Sequence, residues 1–197
     1  MAAFLLILTA SAQRPIEGWN AVAGVQKSVG DGGGNIADDK YYAINIGVGY
    51  KWYVYKNFNF NPEVRLVYRD FGKDYEVAHH DFLLSLRPTA AYNYKRLEVF
   101  TGPTVEFRIG HSGQTVPESF YPGRAPLNKV EWGTYPQSSE KRNGWKAPNT
   151  VVMNWQFGIG TNIEGLLLRA AFHMGVSKYH VNNRGMYFLE FTAGHTF

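Results

Sequence analysis

Strict alternation of apolar and polar side chains is the feature of this chain that most restricts its fold. It is clearest between Tyr41 and Tyr53. The even-numbered positions there (one parity) are apolar or aromatic, namely Tyr42, Ile44, Ile46, Val48, Tyr50 and Trp52. The odd-numbered positions (the other parity) include Asn45, Gly47, Gly49 and Lys51. Because successive side chains of a β-strand point to opposite faces, this segment predicts a strand with one apolar face. The same pattern recurs along the chain and predicts an all-β protein.

Turn-forming residues divide the alternating region into eight segments. The predicted strands are 17–28, 41–53, 58–70, 81–93, 97–110, 150–162, 166–176 and 186–197. The longer connections are 29–40, 71–80, 111–149 and 179–184, and they alternate with turns of a few residues. An even number of strands, each of at least roughly 9–11 residues, with long loops at one end, is typical of an antiparallel up-and-down transmembrane barrel. Pro62 and Pro88 cannot donate a ladder hydrogen bond, so we expect both near strand ends or bulges.

The first twelve residues differ from the rest of the chain. Residues 4–8 are apolar, and residues 10–12 fit the small-x-small cleavage pattern of a secretory signal. We therefore expect a signal peptide over 1–12 and a single barrel domain over 13–197. No Lys or Arg precedes Phe4, which leaves a start upstream of Met1 open. Alternation alone does not distinguish inside from outside, but the signal and the unequal loops favour a membrane barrel over a soluble one.

The last segment carries a further membrane signature. Its apolar parity holds Tyr187, Leu189, Phe191, Ala193 and Phe197, with His195 as the polar exception. A strand that ends on an aromatic residue resembles the assembly signal of bacterial outer-membrane barrels. Together with the eight strands, it makes the chain similar to eight-stranded outer-membrane β-barrels of the OmpA/OmpX type, close to the outer membrane protein β-barrel family common in Bacteroidota. The resemblance implies a bacterial outer-membrane location, contact with its lipid, and recognition of Phe191 and Phe197 by the barrel-assembly machinery.

If the apolar faces meet lipid, the opposite faces line the interior of the barrel. The charged residues of that parity are Lys51, Glu63, Arg65, Arg69, Asp81, Arg87, Glu98, Glu106, Arg108, Arg169 and Glu190. Charges in a poorly hydrated space must pair, because burying an unpaired charge is costly. An eight-stranded barrel is only just wide enough for side chains to fill. We therefore expect an ion-pair network that plugs the lumen, with a narrow pore or transporter as the alternative.

Enzymatic and metal-binding alternatives depend on the His residues. Parity places His173 and Ser177 inward and leaves His195 as the only His on a predicted lipid-facing surface, so no Ser–His–acid group forms there. A polar group at the predicted extracellular rim comprises His79, His80, Asp81 and His111. Adjacent strand residues point to opposite faces, so this group predicts neither a metal site nor a cofactor. A lipid-modifying enzyme stays an alternative to a non-enzymatic barrel.

The longest connection supplies a binding hypothesis. Its aromatic residues Phe120, Tyr121, Trp132, Tyr135 and Trp145 stand among Pro, Lys and Arg. Loops on a rigid scaffold often carry binding, so we expect these residues to contact an extracellular protein or glycan, or to fold over the barrel mouth as a lid. The 20 Lys and Arg are scattered, which argues against nucleic acid as a partner. The absence of Cys excludes disulfides and thiolate metal ligands.

Overall fold

Eight β-strands contain most of the residues that the structure, a computed structural model, describes, namely 17–31, 42–74, 77–113, 151–177 and 186–197. The strands are β1 (Gly18–Asp31), β2 (Tyr42–Tyr55), β3 (Phe58–Asp74), β4 (Val77–Tyr94), β5 (Leu97–Gly113), β6 (Val151–Ile163), β7 (Leu166–Gly175) and β8 (Met186–Thr196). Each one overlaps a predicted segment. The predicted signal peptide lies outside the described residues, so it stays a prediction.

The strands form a closed barrel in sequence order, with every neighbouring pair antiparallel. β1 pairs with β8 from Asn20↔Thr196 to Asp31↔Met186, which closes the ring. Beyond this ladder, the Phe197 amide donates to the Trp19 carbonyl at 2.8 Å. Closure pairs the sheet edges, whose backbone groups would otherwise be unsatisfied in lipid. The predicted fold class, an all-β eight-stranded antiparallel up-and-down barrel, is confirmed.

The two faces of the wall differ sharply in chemistry. Along β2 the outward Ile44, Ile46 and Val48 are 61%, 61% and 54% exposed, whereas the inward Asn45 and Lys51 are each 2% exposed. The same alternation runs through the other strands. The apolar parity therefore faces outward, which excludes the soluble arrangement with apolar side chains inside. In the described part of the chain, no helix is long and apolar enough to cross a membrane.

Three two-residue turns lie at one end of the barrel and join β2 to β3, β4 to β5 and β6 to β7. Their first residues, Lys56, Lys95 and Glu164, have φ values of 46°, 56° and 53°. Short turns of this kind let antiparallel strands reverse with little excursion from the wall. In outer-membrane barrels the short turns are periplasmic, so we refer to this end as the short-turn end.

Aromatic rings gather at the short-turn end on the outer face. Trp19 contacts Tyr50 edge-on with ring centroids 5.3 Å apart, and Tyr50 contacts Trp52 at 5.1 Å. Trp52 then stacks on Phe60 at 6.2 Å. These contacts form a continuous aromatic strip across β1, β2 and β3. Tyr and Trp are enriched where a membrane meets water, so the strip is typical of a membrane interface.

The predicted loop over 71–80 is wrong, because β3 and β4 continue through most of it. The two strands stay paired through Asp70↔His80 and, after a register shift, through Lys73↔Ala78 and Asp74↔Val77. The polar composition of this stretch suggested a loop, but backbone pairing does not require apolar side chains. β3 and β4 therefore have 17 and 18 residues, more than the roughly 9–11 needed to cross a bilayer. β1 and β5 likewise run a few residues into connections predicted as loops.

Prolines lie inside the wall rather than at its ends. Pro62 and Pro88 are directly opposite each other in β3 and β4, whereas the register shift between these two strands lies between Asp70 and Lys73. The expectation that both prolines lie near strand ends or bulges is therefore wrong. Between β4 and β5 the backbone pairing is interrupted after Leu86↔Val105 and resumes at Ala90↔Thr101 in the same register. Pro88 and Pro103 face each other in that interval. Each lacks an N–H, so the rung between them has no donor.

Candidate functional site in the barrel interior and at its rim

The eleven charged residues predicted to face inward all lie in the barrel interior. Their exposed fractions range from 0% for Asp81 and Glu106 to 8% for Arg108. They come from six of the eight strands, namely β2, β3, β4, β5, β7 and β8. The sequence pattern placed them on one face, whereas the barrel brings together residues that are far apart in the chain.

Glu190 on β8 is the acceptor that most donors share. Arg87 Nη1 donates to both of its carboxylate oxygens at 2.7 and 2.9 Å, and Arg65 Nη1 donates to Oε1 at 2.9 Å. Gln26 Nε2 and Asn45 Nδ2 donate to Oε2 at 2.6 and 3.3 Å. The donors come from β1, β2, β3 and β4, so this one carboxylate on β8 is hydrogen-bonded to side chains from four other strands. Charge-assisted hydrogen bonds of this kind are stronger than neutral ones.

The pairing continues from Glu190 toward the short-turn end. Arg65 also binds Glu63 through Nε at 2.9 Å, and Arg169 Nη1 reaches Glu63 at 2.5 Å. Arg169 Nη2 lies 2.7 Å from Glu98, which also pairs with Lys51. The resulting chain, called here the central cluster, consists of Arg87, Glu190, Arg65, Glu63, Arg169, Glu98 and Lys51. It therefore contains four cations and three carboxylates.

Two further ion pairs lie toward the other end of the barrel. Arg69 Nη2 lies 3.0 Å from Glu106, and Arg108 Nη2 lies 2.9 Å from Asp81. These pairs join β3 to β5 and β4 to β5. Asn154 adds a donor to Glu106 at 3.3 Å. Each of these carboxylates thus has a charged partner, but neither pair is linked to the central cluster by a salt bridge among the described residues.

An apolar layer separates these two groups of charges. It consists of Ala43, Val67, Leu83, Val152, Met186 and Phe188. Along β3, Val67 lies between Arg65 and Arg69, and along β4, Leu83 lies between Arg87 and Asp81. The Arg69 guanidinium lies 5.8 Å from the centre of the Phe188 ring. Sequence parity placed Val67 and Leu83 inward but did not suggest a continuous apolar layer, because that layer depends on the relative heights of different strands.

His173 was not among the predicted site residues, although its parity pointed inward. It is fully buried, and its ring stacks on Phe188 with centroids 4.2 Å apart. Its Nε2 lies 3.9 Å from the Glu190 carboxylate, too far for a hydrogen bond. Neither ring nitrogen has a hydrogen-bond partner among the residues described. His173 therefore contributes packing to the apolar layer rather than a link in the central cluster.

Two inward glycines make room for long side chains of the central cluster. A Cβ built on Gly160 would lie 2.7 Å from Arg169 Cγ, and one built on Gly49 would lie 2.6 Å from Glu63 Cγ. Real side chains do not approach so closely. The absence of a side chain at these positions therefore lets Arg169 and Glu63 run along the inner wall.

The predicted polar group at the rim is divided between the two faces of the wall. His80 faces outward, and its Nδ1 lies 2.9 Å from the Tyr68 hydroxyl and 3.4 Å from Asp70 Oδ1. Asp81 faces inward and pairs with Arg108. His80 thus lies on the outer face, as His195 does, but in the part of β4 where the sequence predicts a loop. Within the described residues, no three His, Asp or Glu side chains are grouped closely enough to hold a metal ion.

The remaining predicted site residues divide into two sets. Phe191 and Phe197 lie on the outer face of the barrel and are 59% and 72% exposed. Their role as an assembly signal stays a prediction. The loop candidates Phe120, Tyr121, Trp132, Tyr135 and Trp145 lie outside the described residues.

Comparison with known proteins bears on the fold. No family model and no curated protein matches the chain. The barrel is similar to the crystal structure of Neisserial surface protein A, NspA, with a TM-score of 0.53 and 11% identity over 92% of this chain and 97% of that one. It is also similar to Ail, the attachment invasion locus protein of Yersinia pestis, with a TM-score of 0.52 and 11% identity over 92% of this chain and 100% of Ail. Ail is an outer membrane protein.

The chain has the fold of an eight-stranded outer-membrane β-barrel. A third structure, Ail with the heparin analogue sucrose octasulfate, matches with a TM-score of 0.50 and the same identity and coverage. At 11% identity these similarities establish the fold and nothing finer. The closer resemblance to the OmpA/OmpX type and to a Bacteroidota family stays a prediction.

Proposed function

We propose that this chain is an integral protein of the bacterial outer membrane that acts without catalysis, as a rigid barrel that presents its extracellular loops to a protein or glycan. The observation that carries the proposal is an apolar, exposed wall around an interior filled with paired charges. An exposed belt that includes Ile44, Ile46, Phe157 and Ile159 is stable in lipid and aggregation-prone in water. The outer-membrane fold of the structural relatives supports the location.

The interior supports a plugged lumen. The central cluster connects β4 to β8 through Arg87 and Glu190 and then returns to β2 through Lys51, so its side chains cross the barrel in more than one direction. The apolar layer adds a second group of side chains that fills the lumen, on the side of the central cluster away from the short-turn end. A barrel of eight strands has little space beyond that filled by side chains. Planar-bilayer recordings should show no conductance above the protein-free baseline, and reproducible single-channel steps would contradict the plug.

The connection 114–150 is the proposed binding segment. Its predicted contact residues, Phe120, Tyr121, Trp132, Tyr135 and Trp145, occur among Pro, Lys and Arg. Ail, which shares the fold, is named for attachment and invasion and has been crystallised with a heparin analogue. These titles support adhesion to a protein or a sulfated glycan as the class of activity to test first.

Replacing residues 116–148 with a short Gly-Ser linker tests the binding role. The strand pairs that end at His79↔Gly113 stay intact, so the barrel should keep its heat-modifiable migration on gels. Cells that display the shortened barrel should lose binding to heparin-coated surfaces and to host-protein arrays. A matched control shortens 178–185 instead. Unchanged binding by the 116–148 variant would remove the loop from the proposal, and loss in both variants would assign binding to the rim as a whole.

A second candidate function, lipid modification, is favoured by one observation at the rim. Asp70, His80 and Ser112 occupy one row across β3, β4 and β5, because Asp70 pairs with His80 and His80 pairs with Ser112 in the backbone register. An acid, an imidazole and a hydroxyl residue thus occupy neighbouring positions in the backbone register. Lipid A mass spectra from cells that express the wild-type protein or the His80→Gln variant decide between the functions. A mass difference that depends on His80 would replace the non-enzymatic proposal.

A further inference from the structure

The outer wall carries an apolar groove that begins at a basic turn. The groove starts beside Tyr94, Lys95, Arg96 and Leu97 and crosses β6, β7, β8, β1 and β2 in turn. Its volume is about 790 Å³. Small side chains at Ala170, Ala193 and Ala23 form the floor, since the larger neighbours along the same strands stand higher on either side.

A second groove runs parallel to the first. It begins beside Phe58 and Tyr92, crosses β5, β6, β7 and β8, and has a volume of about 720 Å³. Ile159, Ala170 and Phe191 line both grooves, so one row of side chains separates the two. Two apolar channels that are one row apart and start at the same end of the barrel match the two acyl chains of a phospholipid.

The charges at the start of the first groove are cationic. The Lys95 ammonium lies 5.7 Å from the centre of the Tyr94 ring, and Arg96 follows it in the turn. The Nε of Arg96 is buried and has no hydrogen-bond partner among the described residues. A buried, unsatisfied guanidinium nitrogen favours an oxygen acceptor, and phosphate is one of the anionic acceptors that guanidinium groups bind strongly. The turn therefore complements an anionic headgroup.

We propose that the two grooves and the Lys95–Arg96 turn form a binding site for one anionic phospholipid of the periplasmic leaflet. Its phosphate binds at the turn and its acyl chains lie in the grooves. The proposal rests on the membrane placement proposed above, which puts the short-turn end at the periplasmic surface. A second copy of the chain could also cover an apolar groove, but it would not need the cationic turn at its end.

Native mass spectrometry of the full barrel, released from bilayers that contain equal parts phosphatidylglycerol and phosphatidylcholine, tests the site. The wild-type barrel should retain one phosphatidylglycerol in preference to phosphatidylcholine. The double variant Lys95→Gln with Arg96→Gln should lose at least tenfold of that preference. The matched control is Lys56→Gln, which neutralises a cation in the β2–β3 turn that lines neither groove, and it should behave like the wild type.

A second variant tests the grooves without changing charge. Ala170→Leu fills the position that both grooves share, and it should reduce phosphatidylglycerol retention while heat-modifiable migration shows a folded barrel. Equal retention by the wild type and the charge variant would overturn the proposal. So would a dimer that Ala170→Leu converts to a monomer with lipid retention unchanged. A chain that does not enter bilayers at all would refute the membrane placement instead, so the two failures are distinguishable.

Discussion

Arg87 and Glu190 lie on opposite sides of the barrel, on β4 and β8, and their side chains meet in the lumen with Nη1 2.7 Å from Oε1 and 2.9 Å from Oε2. Both residues are buried, at 1% and 2% exposed. Backbone hydrogen bonds in a barrel join only adjacent strands. Contacts such as this one connect strands that share no backbone hydrogen bonds, so the interior charges add cross-links to the wall of the barrel.

Removing the Glu190 charge should destabilise the barrel strongly. The Glu190→Gln variant leaves Arg65 and Arg87 without the carboxylate that they share, and breaking a buried pair in this way costs about 3–5 kcal/mol. The urea midpoint for unfolding from detergent micelles measures the loss. Glu164→Gln, in an exposed turn, is the matched control and should change the midpoint little. Equal midpoints for the two variants would contradict the central role of Glu190.

Removing a cation from the central cluster should cost less than removing a carboxylate. Arg87→Met reduces the four cations to three, and Glu190 keeps Arg65, Gln26 and Asn45 as donors. We expect a loss on the order of 1 kcal/mol, since no charge is left unpaired. The same urea titration measures it. A greater loss for Arg87→Met than for Glu190→Gln would show that the excess cation is needed.

Adding one methyl group at an inward glycine should disturb the central cluster. In Gly49→Ala the new Cβ would lie 2.6 Å from Glu63 Cγ and 2.8 Å from the Pro62 carbonyl oxygen. Overpacking of this kind costs about 1–3 kcal/mol. Val48→Ala, at the adjacent outward position, controls for a small change on the same strand. In thermal unfolding monitored by gel migration, Gly49→Ala should unfold at a lower temperature than the control. The reverse order would show that the interior has room for a methyl group at Gly49 and would contradict the prediction.

A charge on the outer wall should cost more in the middle of a strand than at its end. Val48 and Val54 are both outward residues of β2, 54% and 69% exposed. If the wall meets lipid, Val48→Arg costs about 2–4 kcal/mol and Val54→Arg, near the short turn, about 0–1 kcal/mol. Folding yields into liposomes measure the difference. Equal effects at the two depths would argue against a membrane around this wall.

The number of strands and the face of each charged residue could be predicted from the sequence, because apolar and polar side chains alternate along every strand. The partner of each charge could not. Arg65 pairs with Glu63 on its own strand and with Glu190 on a distant one, and that choice depends on how the closed ring sets the heights of β3 and β8. The alternation of side chains along a strand gives no information on how far along the barrel axis a residue lies.

The β3–β4 hairpin was predicted too short for a related reason. Its outer part is polar, and side-chain pattern reports which face is buried rather than whether the backbone pairs. Pairs such as Lys73↔Ala78 extend the strands where neither face has to be apolar. The same extension brought His80 onto the outer face beside Tyr68, a contact that no loop prediction could contain.

The rung without donors between Pro88 and Pro103 makes the eight seams of this ring unequal. A closed ring has to break one seam before any strand can leave it. At the height of Pro88 and Pro103 the seam between β4 and β5 lacks a rung, whereas the β6–β7 and β7–β8 ladders are uninterrupted, so at that height it should open more easily than they do. The product would be one curved sheet with β5 and β4 as its free edges, still joined by the turn at Lys95 and Arg96.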